Sequence, residues 1–337
     1  STALGNSSDL DVSAEKVYFG IGSSFTVGAD SSNDGSVTIT ATGDGTGMQY
    51  AGIDLFAASV AVTGEGSVNL TGMGGDTGNF NHGVVLRSGA SVKTEDGGIS
   101  LQGTVRGGAS YSAGVVLTGS TVEQTDGAGT GAAIDIDGTG GGSGVLNSGV
   151  SFDYASAVTA KGDTEVTIDG TGTAAGSGFG VHIDRGTAIG AETGDVTVTG
   201  SGGATGGGTM GITLEVGSSV TSDSGAVSLE GTGGGSTTGR FNHGIALHNG
   251  GGTVTSGGGA VSLSGNAGPG SSYSSGVVLI GSTVGQTADA LPVGGGDVAG
   301  VTITGSADAT SAGVGNSGVS IDYGTTVTAM GGGALTI

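Results

Sequence analysis

A glycine followed by an apolar, any and an apolar residue recurs at Gly52, Gly83, Gly114, Gly149, Gly180, Gly211, Gly244, Gly276 and Gly318, and Gly20-Ile21 begins a partial copy. The spacings are 32, 31, 31, 35, 31, 31, 33, 32 and 42 residues, so ten repeats of about 32 residues account for nearly the whole chain. A unit that short cannot bury an apolar side alone; it has to stack on its neighbours. A β-sandwich or barrel, the main rival architecture, rarely gives ten evenly spaced repeats.

Each repeat holds three strand candidates. The first follows the glycine, as in GVVL at 83–86 and GITLEV at 211–216; the second is shorter, as in SVKT at 91–94; the third reads ISLQG at 99–103 or VSLEG at 227–231. Successive strand residues face opposite sides. In the third strands Val37/Ile39, Val68/Leu70, Ile99/Leu101, Ile134/Ile136, Val166/Ile168, Val196/Val198, Val227/Leu229, Val261/Leu263, Val301/Ile303 and Leu335/Ile337 therefore form the interior. Thr38, Asn69, Ser100, Asp135 and their counterparts face water, and a slip of one residue would invert the pattern in every repeat.

The expected fold is all-β: one β-solenoid domain over 1–337, a parallel β-helix of about ten three-stranded coils with about 32 residues per coil. The hand expected is right, as for nearly all parallel crossovers. Ten coils at about 4.8 Å make a rod on the order of 48 Å long. Glycine then serves the tight corners, often at positive φ, which β-branched residues resist.

Composition agrees. The 81 glycines would suit collagen or disorder, but no strict glycine triplet runs through the chain and short aliphatic alternations recur along it. Twenty-nine acidic residues against 7 basic ones give a formal net charge of -22, which disfavours nucleic acid and anionic membrane surfaces as partners. The chain has no cysteine, so no disulfide framework or thiolate metal site, and this is compatible with secretion. No stretch approaches the roughly 18 apolar residues of a membrane span, and residues 1–20 carry no signal-peptide pattern. A start at Ser1 without Met suggests a processed or excised piece.

A longer repeat overlies the short one. Residues 19–160 realign with 179–329 as two copies of a five-coil block: YSAGVVLTGSTVEQT (111–125) with YSSGVVLIGSTVGQT (273–287), and NSGVSFDY (147–154) with NSGVSIDY (316–323). The offset is 159 to 162 through most of the span and 169 at the end, where the loop around Pro292 is longer. Leu335-Thr336-Ile337 falls in an expected strand with no cap behind it, so the open edge suggests either a longer chain or a neighbouring copy stacked end to end.

The pattern GVxLxxGxxVxTxxGxVxLxGTGG, seen at 211–234, resembles the Gly/Ser/Thr-rich repeats of large secreted bacterial surface proteins, the adhesin-like and autotransporter-passenger β-helices. The resemblance covers essentially the whole chain. It implies a non-catalytic extracellular stalk, adhesin or filament segment on a bacterial cell surface. The partners implied are neighbouring β-helical segments and host or cell-surface glycans, without membrane insertion. A fibre subunit stacking head to tail is the alternative within that class.

Candidate chemistry is sparse. Asp153, Asp184 and Glu215 occupy one outward position in three consecutive coils, where stacked like charges repel; a solvated acidic ladder and a Ca²⁺ column are both consistent with that. Asp137 and Asp169 form a shorter ladder, and no sustained calcium-binding nonapeptide repeat is present. With Arg185, the first three acids would be the best cluster for a polysaccharide lyase or hydrolase, but few basic or aromatic residues and no long loops support a cleft. An outward Thr/Ser column hints at ice binding, but Asn69 and Asp135 interrupt it. Phe80, Tyr111, Phe241 and Tyr273, each three residues before a repeat glycine, are expected to cover a corner or stack; Tyr154 and Tyr323 are expected to pack likewise. The pairs Asn81-His82 and Asn242-His243 fall at one corner of matching coils, which suits a turn better than a catalytic pair.

Overall fold

The computed structural model describes residues 2–4, 9–28, 35–43, 45–108, 110–127, 132–172, 178–270, 272–287, 299–307, 314–330 and 333–337. The loop around Pro292 lies outside the described residues. Every element among them is a strand, and the strands form three parallel sheets of eleven, eleven and ten members. Each sheet takes every third strand in chain order, which is the topology of a β-solenoid with three strands per coil.

We number the coils by their first strands. Coils 1 to 5 begin with Val17–Phe19, Ala51–Phe56, His82–Arg87, Ala113–Thr118 and Ser148–Asp153. Coils 6 to 10 begin with Val181–Ile183, Ile212–Glu215, Ile245–His248, Ser275–Ile280 and Ser317–Asp322. Two further strands, Thr2–Leu4 and Leu10–Ala14, precede coil 1 and complete the other two sheets.

The third-strand alternation holds. Ile99 and Leu101 pair with Val68 and Leu70 on one side and with Ile134 and Ile136 on the other, and all six are buried. Val84 and Leu86 of the first strands and Val92 of the second point into the same aliphatic column. Each such side chain contributes about 1.5–3 kcal/mol by leaving water. Leu335, 48% exposed, and Ile337, 61% exposed, depart from the expected interior because theirs is the outermost strand of its sheet.

Glycine does serve corners at positive φ, as at Gly89, Gly186, Gly217 and Gly324, but the repeat glycine has another job. From Gly52 to Gly318 none of the repeat glycines takes positive φ. Instead they face a second glycine column, Gly72, Gly103, Gly138, Gly170, Gly200, Gly231, Gly265 and Gly305, aligned residue to residue in the third-strand sheet. An added Cβ at Gly103 would overlap the Gly114 carbonyl, and one at Gly114 would overlap the backbone of Thr139. The two sheets touch backbone to backbone along this seam.

In most coils the corners flanking the first strand also use left-handed residues that are not glycine. Before the first strand stand Phe80 (φ 58), Tyr111 (φ 57), Phe241 (φ 58) and Tyr273 (φ 57). After it stand Tyr154 (φ 53), Arg185 (φ 49), Asn249 (φ 55) and Tyr323 (φ 49). Val216, at φ 45, shows that a β-branched residue is accepted here; Gly217, also left-handed, completes the turn.

Coil 1 corrects the repeat alignment. Val17, Tyr18 and Phe19 pair with Ile53, Asp54 and Leu55, so the counterpart of Gly52 is Lys16. Gly20 lies past the strand, and Ile21 beside it is 76% exposed in a turn. The Phe19-Gly20-Ile21 match to Phe179-Gly180-Val181 is therefore one of sequence only.

Candidate metal centre on the grooved face

The two rows of left-handed corners rise on either side of the first-strand sheet and make its outer face a groove. Among the described residues, hollows lie along it. One of about 280 Å³ is lined by Asp54, His82 and Arg87. Another of about 420 Å³ runs from Phe80 and Tyr111 to Asp153, His182 and Asp184. A third of about 420 Å³ is lined by Phe241, His243, His248 and Tyr273. All four histidines of the chain line these hollows.

The aromatics form ridges. Phe80 stacks on Tyr111 with centroids 5.1 Å apart, and Phe241 on Tyr273 at 5.6 Å. Packing of one coil's corner on the next thus fixes the walls, as the spacing of these residues suggested.

Asn81 and His82 are corner residues. The Tyr50 amide donates to Asn81 Oδ1 at 2.9 Å, the Asn81 amide donates to Ser112 Oγ, and the Ala113 amide donates to His82 Nδ1 at 3.1 Å. The second copy repeats this: Thr209 N–H to Asn242 Oδ1, Asn242 N–H to Ser274 Oγ and Ser275 N–H to His243 Nδ1. Burial strips water from both imidazoles and lowers their pKa from 6.5 to about 4. Each ring stays neutral, accepting a backbone hydrogen bond between coils, and the two stand five strands apart.

The acidic column follows from register. Thr118 pairs with Asp153 and Glu215 with His248, while Ile183 pairs with Phe152 and Leu214, so Asp153, Asp184, Glu215 and His248 stand in line in coils 5 to 8. Their surroundings separate them. Asp153 Oδ1 accepts the Tyr154 amide, and its Oδ2 accepts from the Arg185 guanidinium at 3.1 Å. That guanidinium lies over the Tyr154 ring, 4.5 Å from its centroid. Asp184 Oδ1 likewise accepts the Arg185 amide at 2.7 Å, whereas its Oδ2 is 3.7 Å from Arg185 Nε. Both aspartates thus spend one oxygen holding a left-handed corner.

The residues that converge are Asp184, Glu215 and His182, whose donor atoms all lie within 4.8 Å of one another. His182 was absent from the sequence-derived set. It sits two residues before Asp184 on the same outward face, stacked on Phe179 at 4.9 Å. Its pKa is lowered, first by burial, although Glu215, Asp184 and Asp153 pull the other way. Glu215 Oε2 accepts from Asn249 Nδ2 at 2.9 Å, and its Oε1 is 3.4 Å from His248 Nε2. His248 Nε2 and the buried Thr213 Oγ1 have no hydrogen-bond partner. Alternate outward residues across three strands would have revealed the cluster in sequence: His182/Asp184, Thr213/Glu215 and Ala246/His248.

The shorter ladder is in register too, Asp137 beside Asp169. Burial, then the Asp169 charge, raises the pKa of Asp137, and Asp135 is shifted the same way. Its neighbours in line, Gln102 and Thr199, add no third acid. Compared with protein-family models, curated proteins and solved structures, the chain gives no match.

Proposed function

We propose that the chain is a stiff segment of a secreted bacterial surface protein, a stalk or adhesive filament on the outside of the cell that works by shape and surface, without turnover. The observation that carries the reading is the uninterrupted register of three parallel sheets, locked along one seam by facing glycine columns. Such a body transmits force along its axis because every coil is hydrogen-bonded to the next over three strands. A surface of net charge -22 keeps the rod soluble, and the absence of cysteine makes its folding independent of oxidants. The grooved face, with its aromatic ridges, offers the surface for glycans.

The test is protease shaving of intact source cells, combined with an attachment assay on cells carrying an in-frame deletion of residues 19–329. Release of the protein by shaving and loss of attachment to glycan-coated surfaces support the reading. Full protection in intact cells would overturn it. So would release of unsaturated or reducing ends from acidic polysaccharides that disappears in Asp184→Ala.

A further inference from the structure

We propose that His182, Asp184 and Glu215, with His248 as a fourth donor, bind one divalent transition metal of the zinc type. The sequence alone suggested an all-carboxylate calcium column. The geometry removes one of its members and adds nitrogen. Asp153 is engaged by Arg185 and Tyr154, so it turns its charge toward the corner. What remains within 4.8 Å is two carboxylates and one imidazole, with the His248 imidazole next in line 3.4 Å from Glu215 Oε1, a mixed nitrogen and oxygen set that suits zinc, whereas calcium takes six to eight oxygens.

Two further observations point to a ligand. Thr213 stands in register with His182 and faces outward between the inward Ile212 and Leu214, two residues before Glu215. It is 0% exposed, yet its hydroxyl has no partner. A buried hydroxyl left unsatisfied is costly, and a metal-bound water beside it would supply the missing bond. His248 Nε2 is likewise unpartnered, directed at Glu215 Oε1.

Charge and reach agree. Three carboxylates, Asp153, Asp184 and Glu215, against the single guanidinium of Arg185 leave two negative charges, which one divalent cation would balance. Bonds of about 2.0–2.2 Å in a tetrahedron place donors about 3.3–3.6 Å apart. A rotation of the Glu215 side chain, already steered by Asn249, closes the 4.8 Å spread. Asn249 then holds Glu215 as the outer partner of a metal ligand does.

Calorimetric titration of the EDTA-treated protein with Zn²⁺ and separately with Ca²⁺ tests this, with visible absorption on Co²⁺ loading as a second readout. The expected result is one zinc equivalent, a rise in melting temperature, and a cobalt spectrum of a low-coordinate nitrogen and oxygen site. Affinity falls at least tenfold in His182→Ala and Glu215→Gln and stays within about twofold in Asp153→Asn. His182→Phe, which keeps a ring against Phe179 and removes the donor nitrogens, guards against loss of fold. Zinc binding unchanged in both His182 variants would overturn the proposal, as would no zinc binding by the wild type. Calcium bound as tightly as zinc and lost in Asp153→Asn would restore the carboxylate column and equally overturn it.

Discussion

In coils 2 and 3, Arg87 reaches back to Asp54 with two hydrogen bonds of 2.9 and 2.8 Å and lies over Phe56, 4.7 Å from its ring centroid. Five coils on, the same places hold Thr213 for Asp54, Glu215 for Phe56 and His248 for Arg87, as the register of the two strand pairs shows. One groove sector satisfies itself. The other leaves a hydroxyl and an imidazole nitrogen without partners beside two carboxylates. The scaffold underneath is the same in both: aliphatic interior, facing glycines, Asn and His corners. The two sectors differ in a few outward side chains, and each block serves as a control for the other.

The largest expected effect tests what the blocks share. Gly103→Val and its counterpart Gly265→Val each force a side chain into the opposing backbone. Each should cost about 3 kcal/mol or more, read from denaturation midpoints. Unequal costs would break the equivalence of the two seams.

Next comes the difference. Arg87→Ala leaves Asp54, 9% exposed, without its partner. Because Arg87 is itself 44% exposed on its side chain, the expected loss is about 1–3 kcal/mol, below that of a fully buried pair. His248→Ala in metal-free protein should cost less than about 1 kcal/mol, since its contact with Glu215 is long. A greater loss from His248→Ala would mean that the second sector is as self-satisfied as the first.

Acid should affect the two blocks alike. His82 and His243 are held neutral with pKa about 4 against an ordinary 6.5, so the unfolded chain binds more protons between those values. Their contribution is fully present above pH 6.5 and is lost as pH falls toward 4. At about 1.4 kcal/mol per pH unit each histidine is worth at most about 3.5 kcal/mol over that window. Asp135 and Asp137, shifted upward, act in the opposite sense, gaining stability as pH falls through their folded values. Stability measured at pH 7 and pH 4 should therefore drop less in His82→Gln and His243→Gln than in the wild type, and by similar amounts. A wild-type slope retained in both variants would contradict the assignment.

The rod was legible in the sequence because the third-strand alternation, Ile99-Ser100-Leu101, repeats in every coil and each copy reinforces the register of the next. The acidic column was legible for the same reason. His182 was not, because reading single strands for their aliphatic residues hides what their outward faces bring together, and only the stacked register sets His182 beside Glu215. The glycine seam was hidden too: periodicity marks where a glycine recurs, not whether it bends the chain or lets another backbone approach. Coil 1 misaligned because Phe19-Gly20-Ile21 imitates the repeat while Lys16 takes the glycine's place.

Transplanting one sector into the other asks whether these outward side chains alone decide zinc binding. Thr213→Asp with His248→Arg installs the Asp54–Arg87 arrangement in coils 7 and 8, and zinc per chain is counted after equilibrium dialysis. One zinc per wild-type chain and close to none in the double variant are expected, with the metal-free melting temperature kept or raised. An equal zinc count in both proteins, or two per wild-type chain, would contradict this expectation.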